Sequence, residues 1–334
     1  MPPLPVFKKG GIPLSKAKTA RIPKQKQPWV KTKKKIYRYR WFYLMFIPAL
    51  VLAFLFHYLP MIGVYLSFTD YNGVKDPKFV GIKHFKAMFG NKQFLQAFRN
   101  TLIISLTNIV LTISFAVIIS ILLNEITSIS FKKTAQTIIY LPHFMSWVVT
   151  ASIFSLVLAP TPQGMVNNLL VNIGAIDRDH MIYFLGSNTT WRPTYFFIQL
   201  WKEVGWQTVI FMATLSGVNP EHYEAASIDG AGRFQKMRYI TFPAIANTIL
   251  TVFILQLAKV LNLFESAWVL QNDAVLPTAN VLETYIYYRS FNSGGLPNYG
   301  FTTAVGLFKS LIGLVLVLVC NAWSKKVRDG RGIV

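Results

Sequence analysis

Gln256, Lys259, Asn262 and Ser266 recur at intervals of three or four residues inside a long apolar stretch, with Leu263 an alternative to Asn262 in the same register. On a helix, that spacing lines the side chains up on one face. Amide, ammonium and hydroxyl groups arranged so can bind a polar solute, and polar residues within a membrane span are functional candidates by default. The stripe has a second reading as a structural seam, in which Lys259 snorkels or pairs with Glu203 or Glu265. An earlier apolar stretch carries Gln199, Lys202, Glu203 and Gln207. Lys202 and Glu203 are adjacent, so they either face a solute or lie at the outer interface. His143, in "LPHFMSWVV", reads as a packing residue.

No other set of residues has the spacing of a reactive centre. The histidines at 57, 84, 143, 180 and 222 lack a ligand pattern such as HExxH. Cys320 is the one cysteine and lies in an apolar run, which rules out an internal disulfide or a cysteine-based metal cluster. There is no G-x-x-x-x-G-K-[ST] loop, so the chain is not expected to bind ATP itself. The expectation is a non-catalytic protein with no metal and no cofactor of its own.

These candidates need apolar elements to hold them. Of 334 residues, 53% are hydrophobic and only 14% are charged, against about 25% in soluble domains; the mean hydropathy is +0.40. The apolar residues come in blocks, which implies a polytopic, all-α membrane protein. Six spans are expected, at about 42–66, 101–123, 135–158, 194–216, 244–268 and 302–323. The net charge is +21, yet residues 1–40 hold 13 Lys and Arg with no acid. Beside a hydrophobic span, such a block points to anionic lipid rather than nucleic acid. With both termini cytoplasmic, the inner segments carry 22 Lys and Arg and the outer ones 9, as the positive-inside rule requires. The expected order is a basic disordered tail (1–40), a first transmembrane helix (41–68), an external amphipathic segment (69–98), a transmembrane domain (99–324) and a short cytoplasmic tail (325–334).

Between the fourth and fifth spans lies the polar stretch "YEAASIDGAGRFQKMRYITFPAI". Asn219 suits an N-cap and Pro220 the first helical position. Glu221 and Glu224 favour the positive end of the helix dipole. Ala225 and Ala226 make a face that another surface can approach closely. Asp229–Gly232, "DGAG", breaks the helix, and Gly230 can turn left-handed without steric cost. Arg233, Lys236 and Arg238 fill a second short helix, and Pro243 starts the next span. The 219–243 element is thus either a solvated connector or a rigid docking knob.

"EAASIDGAGRFQKMRYITFP" resembles the EAA loop of the membrane subunits of ABC importers, through Glu224, Ala225, Ala226, Gly230, Ile240 and Pro243. Phe242 replaces the usual Leu, and Ala246 stands where a second proline is often found. "RNTLIISLTNIVLTISFAVIISILLNE", "IYLPHFMSWVV" and "WKEVGWQTVIFMATLSGVNPEHYEAA" are similar to the LplB-like subgroup of maltose-type permeases, a likeness running from about 42 to 324. The resemblance implies a type I importer fold in a bacterial plasma membrane. It implies a heterodimer with a second permease, two copies of an ATPase that uses ATP and Mg, and an extracellular solute-binding protein. It implies carbohydrate substrates, commonly oligosaccharides or polysaccharide fragments.

It further implies that Glu224, Asp229 and Arg233 lie at the ATPase contact, that Ala225 and Ala226 allow close approach, and that Gly230 sets the angle of the knob. The span-five stripe and Gln199 become candidates for the sugar path. Trp201, Trp206 and Trp268 suit either sugar stacking or membrane-belt anchoring. The alternative reading is an ATP-independent secondary transporter or channel.

Overall fold

A computed structural model describes residues 35–327 apart from Lys75 and Ser293. Most of the basic tail expected at 1–40, and the last residues of the C-terminal tail, therefore lie outside the described residues. Among those residues every named element is helical, with a single isolated antiparallel bridge between Thr69 and Phe79.

The chain divides into two units, Met1–Met61 and Ile62–Val334. Helix α1 spans Arg40–Phe68, with Pro48 inside it and a π turn at Phe54–Tyr58. The second unit holds α2 (Lys83–Gly90), α3 (Lys92–Glu125), α4 (Ile129–Tyr140), α5 (Trp147–Val157), α6 (Met165–Asn172) and α7 (Trp191–Leu215). It continues with α8 (Pro220–Ile228), α9 (Arg233–Leu257), α10 (Glu265–Leu270), α11 (Leu276–Ala279), α12 (Leu282–Phe291) and α13 (Tyr299–Val327).

The starts of these helices are written in the sequence. Asn91 caps α3 by accepting from the amides of Gln93 (2.9 Å) and Phe94 (3.1 Å). Ser128 and Ser146 cap α4 and α5 in the same way, satisfying amides that have no partner inside the helix. At the centre, α3 packs along α7. Ile109, Ile113, Ala116 and Val117 of α3 meet Val204, Phe211, Met212 and Leu215 of α7 in one buried cluster. Four helices, α1, α3, α9 and α13, are long and apolar enough to cross a membrane, and α4 with α5 makes a fifth if the bent pair is one span. Helix α7 has 25 residues, enough length for a span, but its charged and amide side chains leave it outside that set.

The structure corrects or refines four sequence expectations. The stretch 135–158 is not straight: Ile129–Phe144 and Trp147–Val157 meet at 102°, because Pro142 lacks an amide hydrogen and Ser146 caps a new helix. The stretch 244–268 is not one helix either. It ends at Leu257 and resumes at Glu265. Pro243 does stand in the first turn of the α-helical stretch Phe242–Leu257, but a π turn at Met237–Thr241 joins that stretch to Arg233–Lys236 in one continuous helix. Finally, within the segment 69–98, α2 is a short helix that buries one face, His84 and Met88, against the rest of its unit, and His84 Nε2 lies 2.7 Å from the carbonyl oxygen of Thr69.

Candidate functional site

The segment 219–241 projects as a compact knob. Asn219 Oδ1 accepts from the amide of Glu221 (3.1 Å), which starts α8. The helix ends in a Schellman motif: the amide of Ala231 donates to the carbonyl of Ala226 (2.8 Å) and that of Gly230 to Ser227 (3.1 Å). Gly230 holds φ at +79°, with open space around the position a Cβ would take. Backbone conformation, not crowding, therefore calls for glycine there. Lys236 donates to Ser227 Oγ (2.6 Å), the amide of Gly232 donates to Gln235 Oε1 (2.7 Å), and Tyr223 and Thr241 hydroxyls pair at 3.1 Å. These bonds tie both limbs of the turn into one rigid piece.

The surface of the knob is unfinished. Glu224, Asp229 and Arg233 are exposed, and among the described residues none of them forms an ion pair. Ile228, Phe234 and Tyr239 are 87%, 74% and 71% exposed, more apolar area than so small a polar element normally leaves in water. A shallow depression of about 470 Å³ is lined by Ala225, Ala226, Asp229, Tyr239 and Ile240 among others.

A second polar centre lies inside the bundle. Asn108 and Thr112 of α3, Gln199, Glu203, Trp206 and Gln207 of α7, and Gln256 of α9 line a pocket of about 110 Å³. The Oε1 atoms of Gln199 and Gln207 are buried without a hydrogen-bond partner in the chain, although buried acceptors are normally paired. Beside them, Lys202 is buried and donates to the carbonyl oxygen of His143 (3.1 Å). Glu203 Oε1 lies 3.4 Å from Lys202 Nζ, and Oε2 lies 3.1 Å from His143 Nδ1. A carboxylate only accepts, so Nδ1 carries the proton in that bond. Lys202 thus fastens α7 to the break between α4 and α5.

Residues 113–329 match the family described as "Binding-protein-dependent transport system inner membrane component". The chain belongs to that family. It is 37% identical over 296 residues to the polygalacturonan/rhamnogalacturonan transport system permease protein YteP of Bacillus subtilis, covering 87% of this chain and 90% of that protein. It is 38% identical over 293 residues to protein LplB of the same organism, covering 86% and 90%. Among solved structures, a chain of a bacterial ABC transporter involved in import of the acidic polysaccharide alginate superposes with a TM-score of 0.81 at 33% identity, covering 89% of this chain and 99% of that one. A chain of a bacterial alginate ABC transporter in complex with an alginate pentasaccharide-bound periplasmic protein superposes with the same TM-score of 0.81 at 33% identity, covering 90% of this chain and 99% of that one.

In this permease the six residues predicted on the knob lie together on α8, its turn and the first residue of α9. The span-five stripe does not stay together. Gln256 and Gln199 reach the polar pocket, but the helix ends at Leu257 before the stripe can continue. Lys259 and Asn262 are exposed in the break, and among the described residues Lys259 pairs with neither Glu203 nor Glu265. Leu263 packs on a core cluster with Ile104 and Trp191. The Ser266 hydroxyl pairs with Tyr195 (2.7 Å). Trp268 stacks on Phe264 (5.7 Å) and meets Tyr287 edge-on (4.7 Å). His143 is more than packing, because it holds Glu203 and stacks on Trp206 at 5.0 Å. Asn108 and Thr112 were missed, and their signal was two polar residues one helical turn apart within the apolar run of α3.

Proposed function

We propose that this permease is the membrane subunit of an ATP-driven, binding-protein-dependent importer of carbohydrates, taking oligosaccharides or polysaccharide fragments. It forms half of the translocation path, with six spans and both termini in the cytoplasm. The observation that carries this reading is the knob at 219–241, locally rigid, with unpaired Glu224 and Arg233 and exposed apolar side chains around an alanine-lined depression. Such a surface fits a cleft on a partner. The partner is an ATPase present in two copies, which binds ATP and Mg and drives the knob as a rigid body. A second permease completes the path, and an extracellular binding protein delivers the solute. The names of YteP and of the alginate transporter support the carbohydrate class.

The polar pocket is the substrate-facing part of this half. Two unpaired amide oxygens, Asn108, Thr112 and Gln256 suit a hydroxyl-rich ligand, which supplies the donors that the chain lacks. Gln199 and Gln256 are its contacts from the predicted set, and Lys259 and Asn262 lie exposed in the helix break that follows Leu257.

The test is a pull-down of the tagged protein from solubilised membranes, with Glu224→Lys beside the wild type and the partners identified by mass spectrometry. The expected result is a second permease and an ATPase with the wild type, and loss of the ATPase alone with the variant. Recovery of the chain by itself would restore the ATP-independent transporter.

A further inference from the structure

A groove of about 730 Å³ lies between α4 and the second half of α7. It is a wedge. The two helices touch at Gly205, where a Cβ would meet the carbonyl oxygen of Ile139. At the same level Tyr140 stacks on Trp206, with centroids 6.1 Å apart and planes inclined by 19°. Beyond that contact the groove is lined along α4 from Tyr140 back to Ile129, and along α7 from Val209 on to Ser216. The helices therefore part towards the end of the bundle that carries the knob. No residue lining this groove lines the polar pocket.

The groove is apolar along its length and cationic at its open end. Val209, Met212 and Ala213 form a trough along α7. Lys132 and Lys133 stand near the start of α4, on the knob side. Gln136, one turn further on the same face, adds an amide donor. The start of this 12-residue helix adds positive partial charge. No acidic residue lines the groove, and among the described residues neither lysine forms an ion pair. Phe131 and Ile138, two turns apart on α4, are exposed, as on a helix that borders lipid.

We propose that this groove holds one anionic phospholipid of the inner leaflet, with its phosphodiester against Lys132 and Lys133 and an acyl chain along Val209, Met212 and Ala213. The proposal rests on the orientation given above, which puts the knob end of the bundle in the cytoplasm. There, basic side chains meet the negative surface potential of the inner leaflet. A zwitterionic headgroup would bring a further cation against the two lysines, so the pair selects lipid of net negative charge. A soluble anion would satisfy the lysines and leave the trough empty. The acyl chain fills the wedge beyond the Gly205 contact and props α4 against α7.

The test uses the full chain, purified in neutral detergent with whatever subunits accompany it and titrated with phosphatidylglycerol and phosphatidylcholine. Native mass spectrometry counts the lipid retained. The wild type is expected to keep a phosphatidylglycerol on this chain in preference to phosphatidylcholine. Lys132→Gln/Lys133→Gln weakens that retention roughly thirtyfold, about fivefold for each lysine. Ala213→Phe keeps both lysines, obstructs the trough and abolishes the same retention. Lys325→Gln/Lys326→Gln removes equal charge from the last turn of α13 and leaves retention unchanged. No preference for phosphatidylglycerol in the wild type would overturn the proposal. So would an equal loss from the Lys325/Lys326 variant, which would reduce the effect to general attraction between basic and anionic surfaces. Retention by Ala213→Phe would remove the acyl chain from the groove and overturn it too. A photo-reactive residue at Gln136 that crosslinks to a partner subunit rather than to lipid would assign the groove to protein. An impermeant thiol reagent that reaches Ala231→Cys from outside intact cells would overturn the orientation, and the inner leaflet with it. Lipid retention is read whether or not an ATPase co-purifies, so its failure leaves the importer reading standing.

Discussion

The knob at 219–241 and the polar pocket use similar side chains and are built in opposite ways. The knob is held by short-range bonds: Asn219 to Glu221, Ser227 to Lys236, Tyr223 to Thr241. It offers its charges to the outside. The pocket draws Asn108, Glu203 and Gln256 from three helices, and its charges are satisfied across the bundle, from Lys202 and Glu203 to His143. A part that must keep its shape while moving against a partner gains from local bonds, because nothing else has to stay in register. A part that opens and closes a path gains from contacts between helices, because shifting one helix changes the site.

The strongest break of this comparison is Gly230→Val. A β-branched residue at positive φ is strained by about 1–3 kcal/mol, and no neighbour within 4 Å of the Cβ position blocks the turn from relaxing. The turn changes angle, and uptake is expected to fall to background. The amount of protein in the membrane and the thermal stability of the bundle stay near wild type. Normal uptake would mean that the geometry of the knob is not what couples it.

Lys202→Met attacks the other side. Methionine keeps the stem and leaves Glu203 and the His143 carbonyl without their ammonium. Breaking a buried pair costs ~3–5 kcal/mol, and the 24% exposure of the Glu203 side chain places the loss at the lower end. The variant should melt well below wild type and lose uptake with stability, while an unchanged melting temperature would refute the clamp.

The same contrast explains what could be read in advance. Asn219, Pro220 and Gly230 carry local signals for a cap, a first turn and a left-handed residue, and each occupies the expected place. The helix break at 258–264 has no such signal: "AKVLNLF" contains neither glycine nor proline, so tertiary packing sets it. Pro142 announced a disturbance but not a 102° bend. Asn108 and Gln256 are far apart in the chain, and only the packing of α3, α7 and α9 brings them to one pocket. Spacing along one helix cannot report a site that three helices share.

Gly205→Ala is the next smaller perturbation. Its Cβ would clash with the carbonyl oxygen of Ile139, so α7 would have to move away from α4 beside the break. Overpacking of this kind costs ~1–3 kcal/mol. Lower thermal stability with an unaltered knob is expected, and the ATPase should still co-purify with whatever protein folds. Loss of the ATPase from folded Gly205→Ala protein would show that the two regions are not separable.

The smallest expected effect is Asn219→Ala, and it tests how local the knob is. Asn219 Oδ1 serves the Glu221 amide and Nδ2 the Glu221 carboxylate, at 3.1 and 2.9 Å. Loss of an N-cap costs about 1 kcal/mol, and here the cost falls on α8 alone. Since α8 is bonded to its own turn and to the start of α9, fraying its first turn leaves the pocket untouched. Hydrogen exchange should therefore quicken at the amides of residues 221–223 and nowhere in α3 or α7, with uptake reduced only modestly. Faster exchange that spread into α7 would mean that the knob is held in place by the bundle rather than by its own short bonds.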